Sequence, residues 1–160
     1  MPPHRPGREV KTKVRGMRLE LLLESTLKSV AQAERSIRKF CKEAGCNTRQ
    51  LDEIGLAVRE CVANAVLHGN CGDPQKKVAI AAAVQKDCII ISVKDQGMGF
   101  EIKELPDPRD PRNLLRESGR GVFLIHACMD KVSLRRPDSR GMEVTMVKYL
   151  DKTALRRATK

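Results

Sequence analysis

Apolar residues recur along this chain with two different periods, and each change of period marks an element. The short apolar stretch Arg18 to Leu23 predicts a strand that ends at Glu24-Ser25. Leu27, Val30, Ala31, Ile37, Phe40, Cys41 and Ala44 then follow at helical spacing, predicting a helix over 26–44 stopped by Gly45. Asn47 with Gln50 three residues on has the form of a capping box. The helix it opens carries Leu51, Ile54, Val58, Val62 and Ala65 on one stripe. Val78 to Val84 and Cys88 to Lys94 read as strands joined by the tight Lys86-Asp87 connection, a hairpin. Val122, Leu124, Ile125, Cys128 and Met129 predict a further helix. Lys131–Arg136 and Met142–Leu150 then form a second hairpin across Pro137 to Gly141. No repeat or break interrupts the pattern, so residues 17–150 read as one α/β or α+β domain with a sheet that is at least partly antiparallel.

Composition narrows this picture. A length of 160 residues with 41% hydrophobic content suits a single core, and with only 2% aromatics that core must be aliphatic. No apolar run reaches the about 18 residues of a membrane span, and residues 1–16, with three prolines and no apolar segment, read as a disordered basic arm and not a secretory signal. The expectation is a cytoplasmic protein without a membrane partner. Six cysteines with no C-x-x-C spacing read as reduced thiols packed like small hydrophobes, not as a zinc site. The net charge of +11 raises nucleic-acid binding, but the excess gathers at the ends. Arg5, Arg8, Lys11, Lys13, Arg15 and Arg18 stand at one end; Lys148, Lys152, Arg156, Arg157 and Lys160 stand at the other. Without an aromatic platform beside them they read as solvated tails, the second spanning 151–160, and direct nucleic-acid binding is the weakest of the functions considered.

Four stretches interrupt the apolar pattern with chemistry. Glu60 and Asn64 project from one face of the second helix, about 40° apart and away from its main stripe, with Leu56, Ala63 and Leu67 flanking them. A carboxylate and an amide so placed can act as a general base beside an oxygen ligand for a hard cation. Asp95 ends a strand and is followed by Gly97 and Gly99, so an acceptor for a ligand amine stands where backbone can approach the ligand closely. Residues 101–118 hold three prolines and many charges, as functional lids do. Ser118-Gly119-Arg120-Gly121 precedes the predicted helix at Val122 and could cradle phosphate. Taken singly, each has a simpler account: a solvent-facing polar pair, an Asp-held turn, a disordered loop, a glycine-bearing start to a helix.

Their order carries more than any one of them. Glu60 and Asn64 in RECVANAVLHGN, Asp95, Gly97 and Gly99 in VKDQGMGF, and LPDPRDPRNLLRESGRGVFLIHACMD over 105–130 resemble the GHKL ATPase superfamily. Within it the chain is most similar to the bacterial anti-sigma-factor serine kinases of stress response and sporulation. The resemblance implies a two-layer α/β sandwich of the GHKL (Bergerat) type. In it, about three helices cover one face of a mixed, largely antiparallel sheet, with a lid over 100–121. It also implies roles: Glu60 as catalytic base toward the acceptor serine, and Asn64 as a Mg²⁺ ligand bridging to the phosphates of ATP. Asp95 would take the adenine amine, with Gly97 and Gly99 shaping the floor, and Ser118, Gly119, Arg120 and Gly121 would clasp the triphosphate. The implied partners are a sigma factor, an anti-anti-sigma protein phosphorylated on serine, and a second copy of the chain. One departure stands out. The family usually has Thr after the glycine of the last hairpin, where this chain has Gly141-Met142; Thr145 would point to the opposite face. An ATP/ADP-gated partner switch with little kinase activity is therefore the alternative.

Overall fold

The computed structural model describes residues 16–98, 117–137 and 140–151. The predicted basic arm before Gly16, the tail after Asp151, Gly99 and most of the expected lid lie outside the described residues. Strict alternation builds the sheet. Strand β1 (Arg18–Glu24) turns Leu19, Leu21 and Leu23 inward, β2 (Lys77–Gln85) turns Val78, Ile80 and Ala82, and β3 (Cys88–Lys94) turns Ile89, Ile91 and Val93. Strands β4 (Lys131–Arg135) and β5 (Glu143–Tyr149) complete the order β1-β2-β3-β5-β4. The largely antiparallel sheet that the sequence implies is antiparallel at every pairing among these five strands. The reason is the position of β5. Strands β3 and β4 run the same way, but β5 is inserted between them and pairs antiparallel with both.

Three helices cover one face. Helix α1 (Leu27–Glu43) is capped by Thr26, whose hydroxyl accepts from the Ser29 N–H. It ends at Gly45 (φ +98°), with the Cys46 N–H returning 3.0 Å to the Cys41 carbonyl. Helix α2 (Thr48–Asn64) opens on the predicted capping box: Gln50 N–H to Asn47 Oδ1 at 2.8 Å, and Asn47 N–H to Gln50 Oε1 at 3.2 Å. The Gln50 amide also donates 2.9 Å to the Tyr149 carbonyl, tying the start of α2 to the end of β5. Helix α3 (Glu117–Cys128) starts five residues before Val122, where the apolar pattern first shows it. Gly119, Arg120 and Gly121 thus belong to the early turns of this helix and do not precede it. A pattern of buried residues cannot mark a first turn that carries no apolar stripe.

The core lies between sheet and helices. Ile37, Ile54, Val58, Val62, Ile89, Ile91 and Met146 are wholly buried, each contributing about 1.5–3 kcal/mol by leaving water. Cys41, Cys46, Cys61 and Cys128 are buried free thiols, as small hydrophobes would be.

Lys148 corrects the reading of the C-terminal charges as a solvated cluster. Its place on β5 aims it at the helices, and at 7% exposure its ammonium donates to the Glu53 carboxylate and the Cys128 carbonyl. The Lys148 hydrogen bond, with Arg49 adding to it, holds the Glu53 carboxyl below its ordinary value. A depressed folded-state pKa contributes stability that is fully present above the unfolded value of 4.5 and is lost as pH falls through the folded one. Glu53→Gln should accordingly cost about 1–3 kcal/mol at pH 7, less than a fully buried pair because Glu53 is partly in water. In urea titrations that difference should shrink as the pH is lowered below the ordinary carboxylate range; a pH-independent difference would count against the ion pair.

Candidate functional site

At the end of α2 the helix widens. Ala65–Gly69 forms a π-helical turn that closes with the Asn70 N–H on the Ala65 carbonyl at 2.8 Å. Just before it stand Glu60 and Asn64, both half-buried, neither engaged in a hydrogen bond or ion pair among the described residues. Helix α3 crosses here. A Cβ on Gly121 would lie 3.1 Å from Glu60 Oε2 and 3.3 Å from Asn64 Nδ2, so only the bare backbone of α3 meets this pair comfortably. The structure thus brings Gly121 onto Glu60 and Asn64, and sets Ser118, Gly119 and Arg120 in the first turn of the same helix. Amides at the start of a helix attract anions.

The π-helical turn carries the backbone of Gly69 against Asp95. A Cβ on Gly69 would come within 2.2 Å of Asp95 Oδ2, one on Gly97 within 1.9 Å of the Gly69 carbonyl, and one on Gly141 within 2.3 Å of the Asp95 carbonyl. Three glycines from separate segments therefore pack around one aspartate, Gly69 on its carboxylate and Gly141 on its main-chain carbonyl, with Gly97 against Gly69. Gly141 also has φ +89°, a conformation that glycine adopts freely. Asp95 is 7% exposed, and its Oδ1 accepts from the N–H groups of Gly97 (3.0 Å) and Met142 (3.1 Å). The main chain latches the same place, with Asp95 N–H to Met142 O at 3.0 Å and Gly141 N–H to Gly97 O at 2.7 Å. Oδ2 has no partner among the described residues. Asp95 also borders open space.

That space is a cavity of about 280 Å³. Asn64, His68, Gly69 and Asp95 border it on one side, and Val93, Val122, Ile125, Leu134, Met142 and Val144 line it elsewhere. Apolar walls around one fixed acceptor suit a flat heteroaromatic ring bearing an amine. Cys61 also lines the cavity, and burial, with the Asp95 charge adding, pushes its thiol up to about 12, so it stays neutral and serves as wall. Met142, 3% exposed, is part of the lining, while Thr145 lies across from Ser92 and Ser133 on the sheet face away from the helices. Thr145 does not substitute for the family's threonine.

The cavity and its rim fit a nucleotide with Mg²⁺. The Asp95 carboxylate, with Gly69 packed on it, and the Asn64 amide both border the cavity. Among the described residues no group of three His, Cys, Asp or Glu could hold a metal unaided. A lone amide oxygen suits Mg²⁺, which completes its shell with phosphate and water. Gly69, His68 and Gly141 were missed from the sequence as site residues. The run His68-Gly69-Asn70 at a helix end was visible there, but nothing local says that Gly69 touches Asp95.

Residues 23–148 match the family model of the histidine kinase-like ATPase domain. The anti-sigma F factor of Oceanobacillus iheyensis is 31% identical over 139 residues, covering 84% of this chain and 94% of the relative. That of Clostridium perfringens is 32% identical over 139 residues, covering 84% and 96%. The serine-protein kinase RsbW of O. iheyensis is 26% identical over 138 residues, covering 82% and 86%. Among solved structures, the RsbU and RsbW domains of a Mycobacterium tuberculosis protein superpose with a TM-score of 0.61 at 20% identity. That match covers 83% of this chain and 32% of the solved one, so this chain spans about a third of that protein's length. Fold and sequence agree, and the chain belongs to the histidine kinase-like ATPase domain family, in which its relatives include anti-sigma F factors.

Proposed function

We propose that this protein is a cytoplasmic anti-sigma factor and protein-serine kinase. It binds a sigma factor and transfers the γ-phosphoryl group of ATP to a serine of an anti-anti-sigma partner. One observation carries the reading: Glu60 and Asn64 stand one helical turn apart beneath the backbone of Gly121, beside a cavity bordered by a buried carboxylate whose Oδ2 has no partner among the described residues. In this assignment Asp95 Oδ2 accepts from the adenine amine, and Gly97 and Gly99 form the floor. Asn64 would hold Mg²⁺, which when bound neutralises phosphate charge. Glu60 takes the proton from the acceptor serine, having no competing partner among the described residues. Ser118, Gly119, Arg120 and Gly121, at the start of α3, orient the phosphates. Phosphoryl transfer depends mainly on positioning and charge stabilisation, which these parts supply. The named functions of the 31% and 26% identical relatives support the same choice. A homodimer is part of the proposal. The helix-free sheet face supports it, with small side chains at Ala79, Ala81 and Ala83 and with Leu22 69% exposed.

The test is incubation with Mg·ATP labelled at the γ-phosphate and a panel of sigma factors and anti-anti-sigma proteins. Label on serine of one anti-anti-sigma protein, together with nucleotide-dependent capture of one sigma factor, is expected. Capture that differs between ADP and ATP with no label moved would instead make the protein a nucleotide-gated partner switch.

A further inference from the structure

Among the described residues Asn70 is the one side-chain amide with 0% exposure, and it lies directly after Gly69. Its Nδ2 donates to Ser25 Oγ (2.8 Å) and to the Lys77 carbonyl (3.0 Å), and its Oδ1 accepts from the Gln96 N–H (2.7 Å). Ser25 in turn donates 2.7 Å to the Lys76 carbonyl, and Gln96 Oε1 accepts 2.6 Å from the Lys77 N–H. One amide thus joins the β1–α1 turn, the start of β2 and the residue between Asp95 and Gly97. Only a group with two donors and an acceptor satisfies this set. A carboxylate would turn an acceptor toward the Lys77 carbonyl, and an apolar side chain would leave buried polar groups unpaired.

The placement has a consequence for the ligand site. Gly69 packs on the Asp95 carboxylate and on the Gly97 backbone, so the carboxylate's position depends on where the 95–97 turn sits relative to 69. Asn70 is the side chain that clamps those two segments together, gripping the turn at its middle residue, Gln96. We propose that Asn70 is a positioning residue for nucleobase selection, holding the Asp95–Gly97 turn so that Asp95 Oδ2 stands where it accepts a hydrogen bond from a base amine. This rests on the nucleotide reading above. Asn70 does not reach the cavity itself; it acts through Asp95.

The experiment compares binding of ADP with that of purine riboside diphosphate, which carries hydrogen in place of the 6-amino group, by calorimetry on the full chain. A hydrogen bond to a charged acceptor should make the parent prefer ADP by about tenfold or more. Asn70→Ala should weaken ADP by about tenfold and leave the amine-free nucleotide within about twofold, so that the preference collapses. Equal weakening of both ligands, or an unchanged preference, would overturn the proposal. Should the alanine variant fail to fold, Asn70→Asp keeps the acceptor for Gln96 and loses both donors. It should lower the same ratio, and a parental ratio in that variant overturns the proposal as well. A parent that binds neither nucleotide overturns the nucleotide reading and this inference together. A parent that prefers ADP while its folded variants keep that preference overturns this inference alone.

Discussion

Glu60→Gln should slow phosphoryl transfer by about 10²–10⁴-fold while leaving ADP affinity within about twofold. The substitution keeps the size and shape of the side chain and removes only its capacity to take a proton. Among the described residues Glu60 makes no hydrogen bond or salt bridge, and its charge is felt only weakly by the neighbouring Arg59, so the change breaks no described contact that holds the fold. Gly121 lies close over Oε2, and an isosteric amide meets it at the same distance as the carboxylate did. Loss of rate therefore reports on chemistry and not on collapse of the site. Single-turnover transfer to the unphosphorylated acceptor partner, alongside an ADP titration, separates the two. Undiminished transfer would remove Glu60 from the role of base. A parallel loss of ADP affinity would make its carboxylate a support of the binding site instead.

Gly97→Ala should weaken nucleotide binding by about a hundredfold or more and destabilise the fold by about 2–3 kcal/mol. Its new methyl group would fall 1.9 Å from the Gly69 carbonyl oxygen, a contact between two stretches of main chain with no flexible side chain to give way. The turn must then move outward, drawing Asp95 from its place and breaking the bonds from Gly97 and Met142 that fix Oδ1. Gly72→Ala is the matched control. Gly72 has φ +66°, and no atom lies within 4 Å of where its methyl group would stand, so alanine there should cost only about 1–2 kcal/mol of backbone strain. ADP affinity should stay at the parental level in the control. Urea unfolding and ADP titration on both variants check the contrast, and a Gly97→Ala protein with parental affinity would show that the 95–97 turn is not confined as the packing requires.

Much of the fold is legible in single stretches. The strict alternation of β2 and β3 and the two-residue Lys86-Asp87 link specify a hairpin with one buried face, and the register follows from it. Asn47 and Gln50 specify where α2 begins, because the side chains answer backbone donors only three residues away. Elsewhere local pattern misleads. Lys148 reads as one more charge near a basic terminus, yet strand alternation on β5 puts it in the helix-facing layer, where Glu53, 95 residues earlier in the chain, neutralises it. The start of α3 is invisible for the opposite reason: its first turn has no buried stripe to betray it.

The chain by itself determined the period of each element, the glycine that stops α1 and the capping box that opens α2, and the half-polar face that carries Glu60 and Asn64. These depend on 3.6-residue and two-residue geometry and on contacts a turn long, and any reader of the sequence can recover them. Tertiary structure alone decided that β5 slots between β3 and β4, that Gly69, Gly97 and Gly141 meet around Asp95, and that Asn70 ties the turn behind it. Approaches of that kind join segments from separate parts of the chain. Their distances are set by how whole layers pack, and no local spacing records them.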